Sequence, residues 1–426
     1  MDYVIAVQAP AYPLSPSTFA TESAFAEHLK ELRRSIGPRF AKLVLLAPRL
    51  TEDQYNAKRA HLGIVNLESD EVLFVPLHET STRAKQFWFS HARQLWRQIS
   101  ATVSGAGVVH SGLSDDIWRP TMAMVNLAAW RAGKPVIFVV DIDFRQHAKR
   151  NYKLGTWGTK SYVVCRLVYD PIKWLQVWFA VRLYSLVLLK SASMVRDFGR
   201  GRPNVKNFYD TVHSLDDILS ESALSQRQHW LVDETTPFTL AYFGRLVSYK
   251  GLDRAIEAVR LARAQGEDVR LQLLGEGECE HDLRRQVTDS GLESIVRFHP
   301  QVAYGSPLFE QLGQAHMSIA TPLVEDTPRA AFDSLARGLP IIAFDISYFR
   351  DLAQESGAVE LAAWPDAAAM ARGLVALSRD RRRVAAMAGR GVAFARANTQ
   401  SAWLEQRACW VRDLTAASGK TTNVRP

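Results

Sequence analysis

The sequence predicts an α/β protein made of two doubly wound parallel domains. Short β-branched runs bounded by turn residues alternate with longer amphipathic stretches, the pattern of strands joined by crossover helices. The alternation occurs twice, on either side of a polar stretch. At 426 residues the chain is also too long for one compact core, and suits two or three domains.

In the first half the strand candidates are Tyr3 to Ala9, Leu43 to Ala47, Val72 to Pro76, Val108 to His110, Pro135 to Asp141 and Leu186 to Lys190, with helices such as Glu22 to Ser35 and Trp118 to Ala132 between them. This first domain spans 1–205. From 206 to 236 the pattern loosens around Ser214-Leu215-Asp216-Asp217 and Asp233-Glu234-Thr235-Thr236, which reads as linker or interdomain surface. The second domain, 237–400, has strand candidates Thr239 to Phe243, Arg270 to Leu274, Val296 to Phe298, Met317 to Ala320 and Pro340 to Phe344. Its helices fall near Leu252 to Ala264, Pro328 to Arg337 and Ala367 to Leu377. A closing helix over 401–418 carries Trp403, Leu404, Ala408, Val411 and Leu414 at helical spacing, and packing back on the first domain is one outcome for it. Domains of this kind bind ligands at the carboxyl ends of their strands, so the site is expected in a cleft between two facing sheets.

Composition narrows the function classes. Charged residues are 23% and hydrophobic ones 47%, which excludes disordered and fibrous classes, and no short repeat runs along the chain. Cys165, Cys279 and Cys409 lie far apart, so they define neither a disulfide framework nor a zinc site. The acidic start Met1-Asp2-Tyr3 and its short apolar run do not fit a signal peptide, and a cytoplasmic protein is expected. A net charge of +8 favours anionic partners. No nucleic-acid recognition motif accompanies that charge, so nucleic acid is not an expected partner.

Two segments carry candidate chemistry. In Phe243-Gly244-Arg245-Leu246-Val247-Ser248-Tyr249-Lys250-Gly251, a strand runs into a turn with two cations ahead of a helix. Gly244 permits close backbone approach, and Arg245 with Lys250 suits a diphosphate near a helix N-terminus. In Glu325-Asp326-Thr327-Pro328 and onward to Pro340, Thr327 is placed to cap a helix with Pro328 at its first position, and Gly338 ends it. That puts Glu325 in the preceding loop and Asp333 about one and a half turns inside, ~8 to 10 Å along the axis. Two such acids suit two hydroxyl-bearing groups of one ligand. Taken singly, each motif has a plainer reading: a solvated basic turn, an acid at a helix dipole, a wet helix face.

Order and spacing together make the segment 239–345 resemble retaining glycosyltransferases of family 4, of the glycosyltransferase group 1 and GT-B fold. The matching residues are Gly244-Arg245-Leu246, Lys250-Gly251, Leu274-Gly275-Glu276-Gly277, and Glu325 separated from Asp333 by seven residues, with Leu335-Ala336-Arg337-Gly338-Leu339-Pro340 following. The resemblance implies two Rossmann-like domains and a nucleotide-sugar substrate, UDP- or GDP-linked, with no cofactor and no metal. It implies that Arg245 and Lys250 hold the donor diphosphate, that Glu325 meets the transferred sugar, and that Asp333 meets the ribose, with Gly244, Gly275, Gly277 and Thr327 also on the donor side. Asp141 stands where the family has a catalytic histidine, with His110 and His147 as other candidates for an imidazole. The acceptor implied is a glycan or lipid-linked glycan of envelope or exported polysaccharide synthesis.

The chain departs from the family pattern at Asp141, Asp333 and Pro328, and in Ala9-Pro10-Ala11-Tyr12-Pro13, where a glycine-rich loop is usual. Those departures keep open a second reading, a catalytically weak sugar-nucleotide-binding or scaffold subunit of a glycan assembly complex. Finally, the stretch Arg145 to Lys206 holds thirteen Lys and Arg against two Asp, interleaved with aromatics such as Trp157, Trp174 and Trp178, and Arg83 to Arg97 is similar. This suits either the anionic inner face of a membrane, bound peripherally, or a core helix beside a basic cleft wall.

Overall fold

Ten strands form in the first half of the chain in a computed structural model, which describes residues 1–421: β1 (Asp2–Ala6), β2 (Tyr12–Pro13), β3 (Thr18–Glu22), β4 (Leu43–Arg49), β5 (Leu62–Asn66), β6 (Val72–Glu79), β7 (Ala106–Gly112), β8 (Val136–Val140), β9 (Leu186–Leu189) and β10 (Val205–Asn207). Seven make a parallel sheet in the order β10-β9-β8-β7-β1-β4-β6. Their near-continuous apolar runs follow from helices covering both faces: Val4, Leu45, Val109 and Val187 are fully buried. The remaining three pair antiparallel as β2-β3-β5. Proline at 10 and 13 breaks the chain after β1, and Leu14 N–H donating to Thr18 O (2.9 Å) closes a hairpin there. A hairpin thus follows β1, at the position where the sequence resemblance leads one to expect a glycine-rich loop.

The second sheet is parallel throughout and consists of β11 (Phe238–Phe243), β12 (Val269–Leu274), β13 (Val296–His299), β14 (Met317–Ala320), β15 (Ile341–Phe344) and β16 (Val359–Ala362), ordered β13-β12-β11-β14-β15-β16. The order reverses beside β11, so the loops after β11 and β14 flank the crevice where ligands bind in such sheets. Both units are doubly wound α/β folds of the Rossmann-like kind.

The chain divides into one unit of Met1–Asp141, Val163–Phe208 and the stretch from Leu404, and a second of Ile142–Tyr162 and Tyr209–Trp403. Two features differ from the sequence expectation. Residues 142–162 belong with the second unit although they follow β8. Within 206–236, expected as linker, the helix Glu221–Leu231 is capped by Ser220 and held by Arg227, which donates to Gly313 O (2.7 Å) and Gly338 O (3.4 Å). A buried arginine facing carbonyls in loops far away in sequence leaves no periodic signal, so the stretch reads as polar linker. The closing helix, Gln400–Thr421, places Ala408 and Val411 beside Tyr3, Ile36 and Leu188 of the first unit.

Candidate active site

The loops after β11 and β12 are locked together by main-chain hydrogen bonds. Gly244 N–H donates to Leu274 O (3.0 Å), Leu246 N–H to Glu276 O (2.9 Å) and Gly275 N–H to His299 O (3.1 Å). A Cβ at Gly275, where φ is +145°, would stand 2.0 Å from Gly244 O. One at Gly277 would stand 2.3 Å from Leu246 O. These glycines let two backbones touch, which fixes the turn carrying the cations.

That turn is short. Tyr242 donates its hydroxyl to Arg245 O (2.8 Å), a 3₁₀ turn spans Ser248–Lys250, and Gly251 enters the helix Leu252–Arg263 from the left-handed region. Tyr249 joins the two cations: Arg245 donates to its hydroxyl at 2.8 Å, and the Lys250 ammonium lies 5.2 Å from its ring centroid. Arg245 is exposed, while Lys250 is half-buried and paired with Asp326. Thr321 donates to Lys250 O (3.0 Å) and Leu323 N–H to Tyr249 O (2.8 Å), so the loop after β14 is stitched to the same turn.

Glu325 is only 5% exposed. Its Oε1 accepts from the Ser347 hydroxyl (3.0 Å) and amide (3.4 Å), at the start of the helix Ser347–Ser356. The same oxygen lies 2.6 Å from the Arg150 guanidinium. Burial raises the Glu325 carboxyl above its ordinary range; Arg150 opposes the rise, and nearby Asp143 adds to it. Glu325 therefore sits at a helix N-terminus, but of the helix after β15 and not the one that follows it in sequence.

Asp333 is likewise 5% exposed and accepts from the Tyr304 hydroxyl (3.2 Å), which also reaches Asp217 (3.5 Å). Burial pushes its carboxyl up to about 7, while Tyr304 and Arg329 pull downward. The helix carrying it is shorter than the sequence predicts. It spans Ala330–Ala336 with Arg329 at its cap position and no capping side chain. Thr327 is not a cap: its amide donates to Asp326 Oδ1 (3.0 Å), and Pro328 has no N–H, so Ala331 and Phe332 close an i to i+3 turn on Pro328 and Arg329 before the α-helix begins. Asp333 consequently lies in the helix's first turn, where the sequence placed it one and a half turns inside.

The second unit thus brings together Gly244, Arg245, Lys250, Gly275, Gly277, Glu325, Thr327 and Asp333. Asp141 is exposed and belongs to the first unit, at the end of β8. His110 is half-buried on β7: the Tyr3 hydroxyl lies 3.0 Å from its Nδ1, and burial lowers its pKa to about 3. His147 packs its ring edgewise on Trp157 at 5.2 Å. Sequence reading did not single out Tyr249, Tyr304, Asp326, Ser347 or Arg150 for this site. Tyr249 and Asp326 stand inside the quoted motifs; Arg150 is concealed among thirteen cations.

The basic aromatic stretch forms helical turns from Thr159 to Leu183, through Cys165–Tyr169. Val177, Ala180 and Val181 are buried, but Leu167 is 73% exposed, and Trp174, Leu175, Trp178 and Phe179 also face solvent. Arg182 lies over the Trp178 ring at 3.8 Å. The core-helix reading does not hold for this outer face. In the first unit the Trp118 indole N–H donates to the Tyr169 hydroxyl (3.1 Å), and Trp88 with Phe89 (86% exposed) stands out from the Arg83 to Arg97 stretch. Among the described residues no helix is long and apolar enough to cross a membrane.

Comparison with known proteins places these observations. Residues 237–380 match the family model of glycosyl transferases group 1. The amylovoran biosynthesis glycosyltransferase AmsK of Erwinia amylovora is 30% identical over 152 residues, 34% of this chain and 36% of that protein. The putative colanic acid biosynthesis glycosyltransferase WcaL of Escherichia coli K12 is 29% identical over 150 residues, 34% of this chain and 37% of WcaL. These matches span little more than a third of either relative. Over nearly the whole chain the fold is that of Anabaena Alr3699/HepE, solved with UDP (TM-score 0.63, 16% identity, 97% of this chain and 100% of that one). WaaG, a glycosyltransferase involved in lipopolysaccharide biosynthesis, superposes with a TM-score of 0.58 at 11% identity over 96% of this chain and 99% of WaaG. The fold is GT-B.

Proposed function

Since residues 237–380 belong to the glycosyl transferases group 1 family, we propose that the chain is a glycosyltransferase of polysaccharide synthesis. It moves a hexose from a UDP- or GDP-linked donor to an acceptor hydroxyl, with retention at the anomeric carbon. The observation that carries this reading is the convergence of Arg245 and Lys250 on Tyr249, in a turn fixed at the carboxyl end of β11. Charge develops on the diphosphate oxygens as the glycosidic bond breaks, and two preorganised cations lower its cost without a metal. Asp333 accepts from the ribose hydroxyls. Glu325 accepts from hydroxyls of the transferred sugar and orients it for the incoming acceptor. Asp141, at the end of β8, serves the acceptor side. Thermal shift against a panel of UDP- and GDP-linked sugars tests the reading: a ligand at many times its Kd raises stability by several kcal/mol, and no response to any nucleoside diphosphate or its sugars would remove it.

A second reading is supported by Asp326, which pairs with Lys250 and would blunt its stabilisation of a departing diphosphate: a catalytically weak, sugar-nucleotide-binding scaffold subunit. Donor binding with no nucleoside diphosphate release in the presence of acceptor favours it.

The acceptor belongs to a membrane-proximal, lipid-linked glycan. The support is the outer face of Leu167, Trp174, Leu175, Trp178 and Phe179 with Arg182 and Arg166, apolar enough to enter an interface and basic enough for anionic headgroups. A second copy of the chain would meet that face with like charge. The protein works on the cytoplasmic side, held there peripherally.

A further inference from the structure

Arg150 comes from the helix His147–Lys153, just after the first sheet's β8, yet its guanidinium lies 2.6 Å from Glu325 Oε1 and 5.3 Å from the Trp364 ring centroid. It is 7% exposed, so it is neither a solvated surface cation nor free to swing. A buried carboxylate left without a counter-charge takes up a proton and then donates where it should accept. Around Glu325 the charged groups are Arg150, Asp143 (itself paired with Arg145) and Arg350, which is paired with Asp345; Ser347 is the neutral donor. Asp143 works against ionisation and Arg350 is committed to Asp345, so Arg150 is the cation paired with the carboxylate itself.

We propose that Arg150 is a positioning residue for sugar transfer, holding the Glu325 carboxylate ionised and aimed by an ion pair backed by Trp364. This rests on the assignment of Glu325 to the transferred sugar and adds a residue outside the segment that carries the family motifs. It also gives the excursion 142–162 a purpose. That segment leaves the first sheet to deliver one cation to the second unit's acid.

The test uses the full chain with UDP-glucose and GDP-mannose, reading nucleoside diphosphate release across pH for wild type, Arg150→Ala, Arg150→Lys and Glu325→Gln, each checked for a cooperative melt. Arg150→Ala is expected to lower kcat by ~10- to 100-fold with donor KM changed by less than about threefold, and to move the acidic limb of the kcat profile up by about one pH unit, since Glu325 loses its counter-charge. Arg150→Lys restores the limb because the charge returns, though not the planar guanidinium over Trp364. If Glu325→Gln is impaired while Arg150→Ala keeps both kcat and the acidic limb of wild type, this inference is overturned and the sugar-site assignment stands. If Glu325→Gln turns over like wild type, both fall.

Discussion

Asp326 binds Lys250 through one carboxylate oxygen and the Thr327 amide through the other. The loop after β14 therefore carries an acid onto one of the cations that would hold the donor diphosphate. A diphosphate must share or displace that carboxylate, and like charge beside it costs affinity.

Asp326→Asn should therefore tighten UDP or GDP binding by ~3- to 10-fold, since a competing charge is lost and the Thr327 amide keeps its acceptor. Titration calorimetry measures this. Unchanged affinity would mean that the ligand does not meet Lys250.

Lys250→Ala and Arg245→Ala should each lower kcat/KM by about 100-fold or more, because each removes a charge from the place where the departing diphosphate gains it. Steady-state kinetics with UDP-glucose and GDP-mannose decide it. Near wild-type turnover in both variants would dissociate this turn from the phosphates.

Much of this site is legible in the sequence because its residues lie in two short runs, each leading from the end of a strand into a helix. Gly244, Arg245, Lys250, Glu325 and Asp333 stand at fixed spacing, and the strand candidates of both sheets match observed strands to within a few residues at their ends. What is not legible depends on pairing across long sequence distances. Glu325 is read as belonging to the helix after it, whereas Ser347 and Arg150 bind it from 22 residues downstream and far upstream. The strands β2, β3, β5, β10 and β16 are short or lie beside turn residues, so periodicity alone does not reveal them. The cap at Thr327 fails because Asp326 takes the amide that a new helix would have oriented.

Asp333 predicts a pH dependence. Its carboxyl is near 7 in the folded chain and near 3.8 when unfolded, so the folded state keeps a proton that the unfolded state releases. The stability due to this group is full at low pH and is lost as pH rises from about 4 to 7. Asp333→Asn, which stays neutral, should match wild type in melting temperature near pH 4 and exceed it above pH 7. Identical differences at both pH values would contradict this.

The same residue should make donor binding weaken below about pH 7, as the acceptor for the ribose becomes protonated. Asp333→Ala should cost less with a 2′,3′-dideoxyribose donor than with the natural one, since those hydrogen bonds are already missing. Equal costs would separate Asp333 from the ribose.

Liposome co-sedimentation tests the outer face of Trp174, Leu175, Trp178 and Phe179. Each nearby Lys or Arg contributes ~1 kcal/mol at an anionic surface, while apolar insertion is insensitive to salt. Binding to anionic vesicles should fall with ionic strength to a residual level, and Leu175→Glu with Phe179→Glu should abolish that residue. Equal binding to neutral and anionic vesicles, or to neither, would contradict the membrane assignment.

The most direct measurement is calorimetric titration of the metal-free, EDTA-treated chain with UDP and GDP, comparing wild type with Arg245→Ala and Lys250→Ala. The account predicts saturable binding of at least one diphosphate by wild type, weakened at least tenfold in each variant. Binding unchanged by both substitutions, or seen only after a divalent cation is restored, would contradict a diphosphate held by these two side chains.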